Sequence, residues 1–253
     1  ILRLIEFELE GRVPIPPAAA VYDYNFLEKR EAGTNEISVI VFPRELAESY
    51  FKVFRDAGMC LLSLELEARS IARAISHRDG NDPITLLVDF GRSRSGFAVL
   101  KHGIPIFTST VAVGGNAIHA ALMDALKLSE AEAVQFANEQ GLTPQAGPKS
   151  RGLEALSGVA SALADEVTRH YPYWDTRRNE RGERMTPVER VLLVGGSSNL
   201  KGLSDYISGR VQAPTERPNV WMNVSDFHAY VPPIDRRTSL QYVTAIGLAL
   251  RGM

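Results

Sequence analysis

Two apolar runs, Ile84 to Phe90 and Val188 to Val194, limit the fold more than any other feature of the chain. Both are nearly continuous in β-branched and large aliphatic residues. That is the pattern of a strand covered on both faces, so helices must flank a sheet and the expected class is α/β. Both runs also stop at glycine: Asp89-Phe90-Gly91 follows the first, and Val194-Gly195-Gly196-Ser197 ends the second.

Composition narrows the function classes. The 253 residues are 45% apolar and carry 28 Lys+Arg against 30 Asp+Glu, a formal charge of −2. Disorder, a collagen repeat and a disulfide scaffold are excluded. A near-neutral chain lacks the global field that holds a polyanion, so nucleic acid is not an expected partner. The interleaved basic stretch Arg177, Arg178, Arg181 and Arg184 reads as a solvated loop. Cys60, the single cysteine, lies between Met59 and Leu61 and is expected to be buried in a reducing compartment. No run reaches the ~20 apolar residues of a membrane span, and no signal peptide opens the chain, so direct membrane insertion is not expected. A length near ~250 residues is where single cores split, which favours two lobes.

Pro14-Ile15-Pro16-Pro17 cannot continue a helix and separates residues 1–13 from the rest. Beyond it, Ala20 to Leu27 and Ile37 to Phe42 read as paired strands across a polar turn, Glu31 to Asn35. Pro43 suits the first turn of a helix running to Asp56, with Leu46, Tyr50, Val53 and Phe54 on one face and Ala57-Gly58 at its end. Leu61 to Leu66 is expected to be a third strand, and residues 67–78 a helix carrying Ala68, Ile71, Ala72 and Ile75. The Ile84–Phe90 strand leads through a hairpin with a hydroxyl-rich tip to strands at Phe97–Leu100 and Ile104–Val113. Helices follow from Gly114-Gly115-Asn116, at 129–140 and at 152–171; another runs from Asn199 to Val211, and a last from Thr238 to Leu250.

Chemistry concentrates at the ends of the buried runs. Asp89 with Gly91, Ser93 and Ser95 offers a carboxylate, backbone amides and hydroxyls, a set that suits phosphate and Mg²⁺; a tight hairpin whose Asp bonds its own turn explains the same residues. Gly195-Gly196-Ser197 and Gly114-Gly115 each let a flat ligand approach backbone at a helix start, or let the helix pack closely on its strand. Glu166 and Arg169 stand at i,i+3, as a surface ion pair would. Glu67 could face a metal or complement a helix dipole. Gly147-Pro148-Lys149-Ser150 fails as a P-loop, because Pro148 interrupts it and a helix precedes it. His77, His102, His119, His170 and His228 include no pair with metal-ligand spacing.

The order of these weak signals is the informative part. The chain resembles the actin-like ATPase (ribonuclease H-like) fold, and within it the type IV pilus assembly protein PilM family, relatives of FtsA. The resemblance rests on Val88-Asp89-Phe90-Gly91 with Ser93 and Ser95, on Gly103 to Thr108 leading to Val113-Gly114-Gly115, on Val191 to Ser197 with Leu200 to Leu203, and on Tyr242 to Leu250. It implies a second lobe at 83–235, a C-terminal helix at 236–253, and an inserted α/β subdomain at 15–66. It further implies a connecting helix of the first lobe at 67–82 and a first-lobe remnant at 1–14. The family's first phosphate hairpin has no counterpart here, and with Ile1 at the start this reads as a truncated first lobe.

The resemblance assigns Asp89, Gly91, Ser93 and Ser95 to a phosphate loop, with Asp89 as metal ligand and Glu67 facing Mg²⁺. Gly114 and Gly115 would lie near ribose and phosphates, Gly195, Gly196 and Ser197 at the adenosine, and Glu166 and Arg169 beside base and ribose. It implies ATP and Mg²⁺ as cofactors, ATPase activity that is weak at most, and a cytoplasmic place on the inner-membrane pilus platform, reached through partners. The named partners are the cytoplasmic tail of PilN, other platform proteins and a second copy of the chain. Alternatives are a small-molecule kinase of the same superfamily, for which no catalytic base is evident, and an FtsA-like or GspL-like scaffold.

Overall fold

The computed structural model describes residues 1–28, 36–144, 150–178, 182, 184–224 and 230–252. The turn at Glu31–Asn35, the Gly147-Pro148-Lys149 stretch, Arg181 and His228 lie outside the described residues. The chain divides into two compact units, Ile1–Leu66 and Glu67–Met253.

In the first unit, helix α1 spans Leu2–Arg12, and strands β1 (Ala20–Glu28) and β2 (Glu36–Pro43) pair antiparallel with Tyr24 opposite Val39. Pro43, at φ −57°, caps helix α2 (Arg44–Asp56), because its ring presets a helix entry and it has no N–H to leave unsatisfied. The Arg44 side chain ties that entry back to the carbonyls of Ala18 and Ala20, at 3.2 and 2.9 Å.

The expected third strand does not form. The sheet has two strands, and residues 61–66 join no ladder, with Leu62 89% exposed. An apolar run makes a strand only where a sheet edge is brought beside it, and residues 61–66 pair with neither β1 nor β2. Cys60 is exposed for the same reason, which corrects the expectation that it is buried.

The second unit shows why Ile84–Phe90 is continuously apolar. Strands β3 (Thr85–Phe90), β4 (Ser95–Lys101), β5 (Ile104–Val111), β6 (Arg190–Val194) and β7 (Thr215–Glu216) form one sheet in the order β5-β4-β3-β6-β7. Leu86, Val88 and Phe90 face one core with Ile118, Leu122, Leu163 and Ile207. Leu87 faces the other, with Ile71, Leu192, Val243 and Ile246. Each apolar residue of β3 is thus buried on whichever side it points. The first core is covered by α4 (Gly115–Leu126), α6 (Ser150–Thr176) and α7 (Leu203–Val211), with α5 (Glu130–Glu139) packed on α4. The second is covered by α3 (Glu67–Ile75) and α9 (Val243–Ala249), where α8 (Arg236–Ser239) and a one-turn 3-10 helix lead into α9.

Helices α3 and α9 cross on glycine. A Cβ on Gly247 would fall 1.7 Å from the Ser70 carbonyl oxygen. Arg73 clamps the crossing by donating to the Gly247 carbonyl at 2.8 Å. Two boundaries differ from the sequence reading. α6 continues through Pro172 to Thr176, with Trp174 buried beyond the proline. The helix expected from Asn199 begins only at Leu203, because Gly202 at φ +80° breaks the backbone after a short 3-10 turn over Gly196–Asn199.

Candidate functional site

Strands β3 and β6 run parallel with Asp89 opposite Val194, so both glycine-tipped ends emerge side by side. A Cβ on Gly195 would stand 2.5 Å from Asp89 Oδ1 and 2.5 Å from the Phe90 carbonyl oxygen. Gly195 has φ +85°, a region that L side chains rarely adopt, so glycine is required twice over. Asp89 and Gly195, which are far apart in sequence, therefore share one wall.

Three backbone segments are knotted beside that wall. The Gly91 amide donates within its own loop to the Asp89 and Arg94 carbonyls, at 3.1 and 3.0 Å. The Gly91 carbonyl accepts from the Gly115 amide and from the Ser197 hydroxyl, both at 3.0 Å. The Asn116 amide donates to the Arg92 carbonyl at 2.8 Å. A Cβ on Gly114 would meet backbone of Arg92 to Arg94 at about 2.5 Å, and one on Gly115 would meet Ser197 Oγ at 2.0 Å. The first amides of α4 are thus spent on hairpin carbonyls, and Gly114 and Gly115 serve close packing and do not line the cleft. Ser95 is fully buried and donates to the Val113 carbonyl at 2.6 Å, which occupies the hydroxyl expected to meet phosphate. Ser93 is exposed on the loop.

The cleft that opens over this knot has a volume of about 600 Å³. Glu67, Asp89, Gly91, Gly195, Gly196 and Ser197 all line it. Ile118, Val134, Ala137, Leu200 and Val243 give it an apolar wall. Asp89 is pushed up to about 6, first by burial and then by the negative charge of Glu67, with Arg94 opposing. Arg94 pairs with both Glu67 carboxylate oxygens, at 3.1 and 3.3 Å, among exposed side chains. Two carboxylates at the mouth of a cleft with a glycine floor can hold a hydrated divalent cation, since Mg²⁺ keeps several waters and takes few protein oxygens.

Glu166 and Arg169 make the expected i,i+3 pair at 3.1 Å, but they do not line the cleft. They flank His170, whose ring stacks on Phe97 and Phe107 at 5.0 and 5.3 Å and is held below its usual range, mainly by burial. The i,i+3 spacing was visible in the sequence, whereas the direction that face takes was set by α6 packing on the sheet.

Sequence reading missed His119, Asn138, Asn199, Thr238 and Gln241, which also line the cleft. His119 sits one turn beyond Gly115 on α4, so its position followed from the helical repeat. Burial holds it below its ordinary range, with Glu130 and Arg92 acting in opposite directions. The others come from three separate segments that no local spacing connects. Among the described residues no helix is long and apolar enough to cross a membrane. Among the same residues no group of three His, Cys, Asp or Glu side chains could hold a metal ion.

A family model described as type IV pilus assembly protein PilM matches residues 3–253. The solved PilM-PilN type IV pilus biogenesis complex aligns with 99% of this chain and 71% of its own, at 20% identity and a TM-score of 0.73. EutJ, the ethanolamine utilization protein of Carboxydothermus hydrogenoformans, aligns over 81% of this chain and 61% of its own, at 21% identity and TM-score 0.53. MreB5 of Spiroplasma citri bound to ADP aligns over 83% and 66%, at 13% identity and TM-score 0.58. At these identities the likeness shows the fold, which is actin-like. No curated protein sequence matches.

Proposed function

Because the chain belongs to the type IV pilus assembly protein PilM family, we propose that it is an adenine-nucleotide-binding scaffold of the pilus inner-membrane platform that receives the cytoplasmic tail of PilN. The observation that carries the nucleotide half is the meeting of Asp89 with Gly195 and Gly196 across the β3–β6 pair, beneath a cleft of about 600 Å³. That volume lies within the range of small-ligand sites. The apolar wall suits a base, the backbone of Gly195 and Gly196 allows close approach, and Asp89 with Glu67 would hold Mg²⁺ through its waters. Bound Mg²⁺ would supply charge neutralisation at the phosphates, while the protein's part is to position and to exclude water. Titration of ADP by calorimetry, with and without Mg²⁺, tests this. Saturable binding that Mg²⁺ strengthens in the native chain, and not in Asp89→Asn, is expected; ADP binding indifferent to both overturns the assignment.

Residues 15–66 support the second half of the reading as an inserted subdomain. A two-stranded sheet has edges that an extended peptide can extend, and α2 exposes Leu46, Tyr50, Phe51 and Val53 beside it. The solved relative is a complex of PilM with PilN, which makes the PilN tail the partner to test. Hydrogen exchange of the full chain with a PilN tail peptide should slow amides within 15–66. Protection confined to 67–253 would remove this surface from the proposal.

A further inference from the structure

The hairpin loop between β3 and β4 carries two arginines that turn to different helices. Arg92 donates through Nε to Asn116 Oδ1 at 3.0 Å and reaches Glu130 Oε1 at 3.5 Å, so it faces α4 and α5. Arg94 faces α3, where its Nη2 donates to Glu67 Oε1 and Oε2 at 3.1 and 3.3 Å. The loop backbone is pinned beneath both. The Gly91 amide bonds the Arg94 carbonyl at 3.0 Å, the buried Ser95 hydroxyl bonds the Val113 carbonyl, and Gly114 packs on the backbone of Arg92 to Arg94. Glu67 is fixed at its root too, as the first residue of a helix that packs on Gly247 of α9. The two side chains themselves are exposed, 61% for Arg94 and 57% for Glu67. Their ion pair can therefore open by rotamer changes alone.

Glu67 and Asp89 line the cleft together, and the positive charge of Arg94 acts on Asp89 as well as on Glu67. Arg94 is thus the counter-ion of the two carboxylates that would face Mg²⁺. Its hold is modest: one nitrogen bridging two carboxylate oxygens at an exposed pair shifts an equilibrium by a factor of a few. A phosphate chain offers the same guanidinium several oxygens, more negative charge and the two-armed contact that its planar fork prefers.

We propose that Arg94 is a built-in competitor for the cation site, covering Glu67 in the nucleotide-free protein and swinging to the phosphates when a nucleotide enters. The inference rests on the nucleotide reading of the cleft. Glu67 opens to the waters of Mg²⁺ only once Arg94 has a better partner. A free cation meets an occupied carboxylate, whereas a cation arriving with nucleotide meets an open one, so Arg94 makes the two ligands bind cooperatively. The loop keeps its fold, because only the side chain beyond a pinned backbone moves.

Mn²⁺ takes the same oxygen ligands as Mg²⁺, and its binding to the full chain without nucleotide can be read from the relaxation of water protons. Arg94→Gln should bind it about threefold more tightly. Arg94→Lys keeps the charge and should return the affinity most of the way to native. Removing any positive charge favours a cation, so the change is repeated with Glu67→Gln present. Competition predicts that most of the gain then disappears. An unchanged Mn²⁺ affinity in Arg94→Gln, or an equal gain in both backgrounds, overturns the proposal. ADP calorimetry with and without Mg²⁺ tests the hand-over. The factor by which Mg²⁺ strengthens ADP binding should fall about threefold in Arg94→Gln, by the reciprocity of coupled sites. A native chain that binds ADP with a Mg²⁺ factor unaltered by Arg94→Gln overturns this inference alone. A native chain that fails to bind ADP overturns the reading of the cleft and this inference with it.

Discussion

Asp89→Asn should make the protein more stable and less able to hold Mg²⁺. The Asp89 carboxyl is pushed up to about 6 from an ordinary 3.8, chiefly because burial disfavours its charged form and Glu67 repels it. The folded chain therefore binds this proton more tightly than the unfolded chain. Stability contributed by the group is complete below pH 3.8, falls as the pH rises through the window up to about 6, and is level above it. The gap corresponds to on the order of 3 kcal/mol at 1.36 kcal/mol per tenfold. Asp89 is half-buried, so solvent screening reduces this to about 2 kcal/mol. Asn has the same shape without the charge, so the substitution should recover that amount at pH 8, or about 4–8 °C in Tm for a unit of this size. Between the two limits the unfolded carboxyl titrates first, and at pH 4.5 the gain should be about a third of its pH 8 value. Urea denaturation of both proteins at the two pH values measures it. A variant that is less stable at pH 8, or whose gain is the same at both, would refute the claim that Asp89 is held charged against its surroundings.

Three further outcomes follow from particular contacts. Gly247→Val places a Cβ 1.7 Å from the Ser70 carbonyl and must part α3 from α9; a loss of about 3 kcal/mol or more in chemical denaturation is expected, and a loss under about 1 would contradict the crossing. Ser95→Ala removes the donor to the half-buried Val113 carbonyl and should cost about 1–3 kcal/mol while leaving ADP affinity unchanged, whereas a loss of ADP binding at unchanged stability would return Ser95 to the phosphate loop. Cys60 is exposed and should react with a chromogenic disulfide reagent in the native protein as fast as in urea; protection in the native state would place it back in a core.

What the sequence disclosed depended on how local the cause was. The β3 strand was legible because each of its apolar residues meets a core on one side or the other. The α2 boundaries were legible because Pro43 and Gly58 act on their own backbone. Leu61–Leu66 was misread because an apolar run carries no information on whether an edge will lie beside it. The helix start at Leu203 was missed because Asn199 is a plausible cap and only the backbone at Gly202 overrules it. At the site, Asp89 and Gly195 came together through strand pairing, which the motif order implied. Glycine at 114 and 115 has a different origin, the contact between α4 and the hairpin loop. Sequence alone presents a glycine that meets a ligand and a glycine that meets backbone identically.

The first unit is held together differently from the second, and the difference is measurable. Among its described residues only Ile5, Leu9 and Ala20 are buried hydrophobics, while Phe7, Tyr50, Phe51, Val53 and Leu62 are each exposed by nearly half or more. Two strands and two helices that bury so little are marginal by themselves. Calorimetry of the full chain should therefore show residues 1–66 unfolding in a separate, lower transition than the two-sided core around β3. A ligand that binds only the folded form of this unit raises that transition alone, by about 2.7 kcal/mol at a hundredfold excess over Kd. The PilN tail peptide should act in this way and ADP should not, since the cleft proposed for it lies wholly within the second unit. A single transition, or an upper transition moved by the peptide and a lower one moved by ADP, would show that the division of labour between the units has been drawn wrongly.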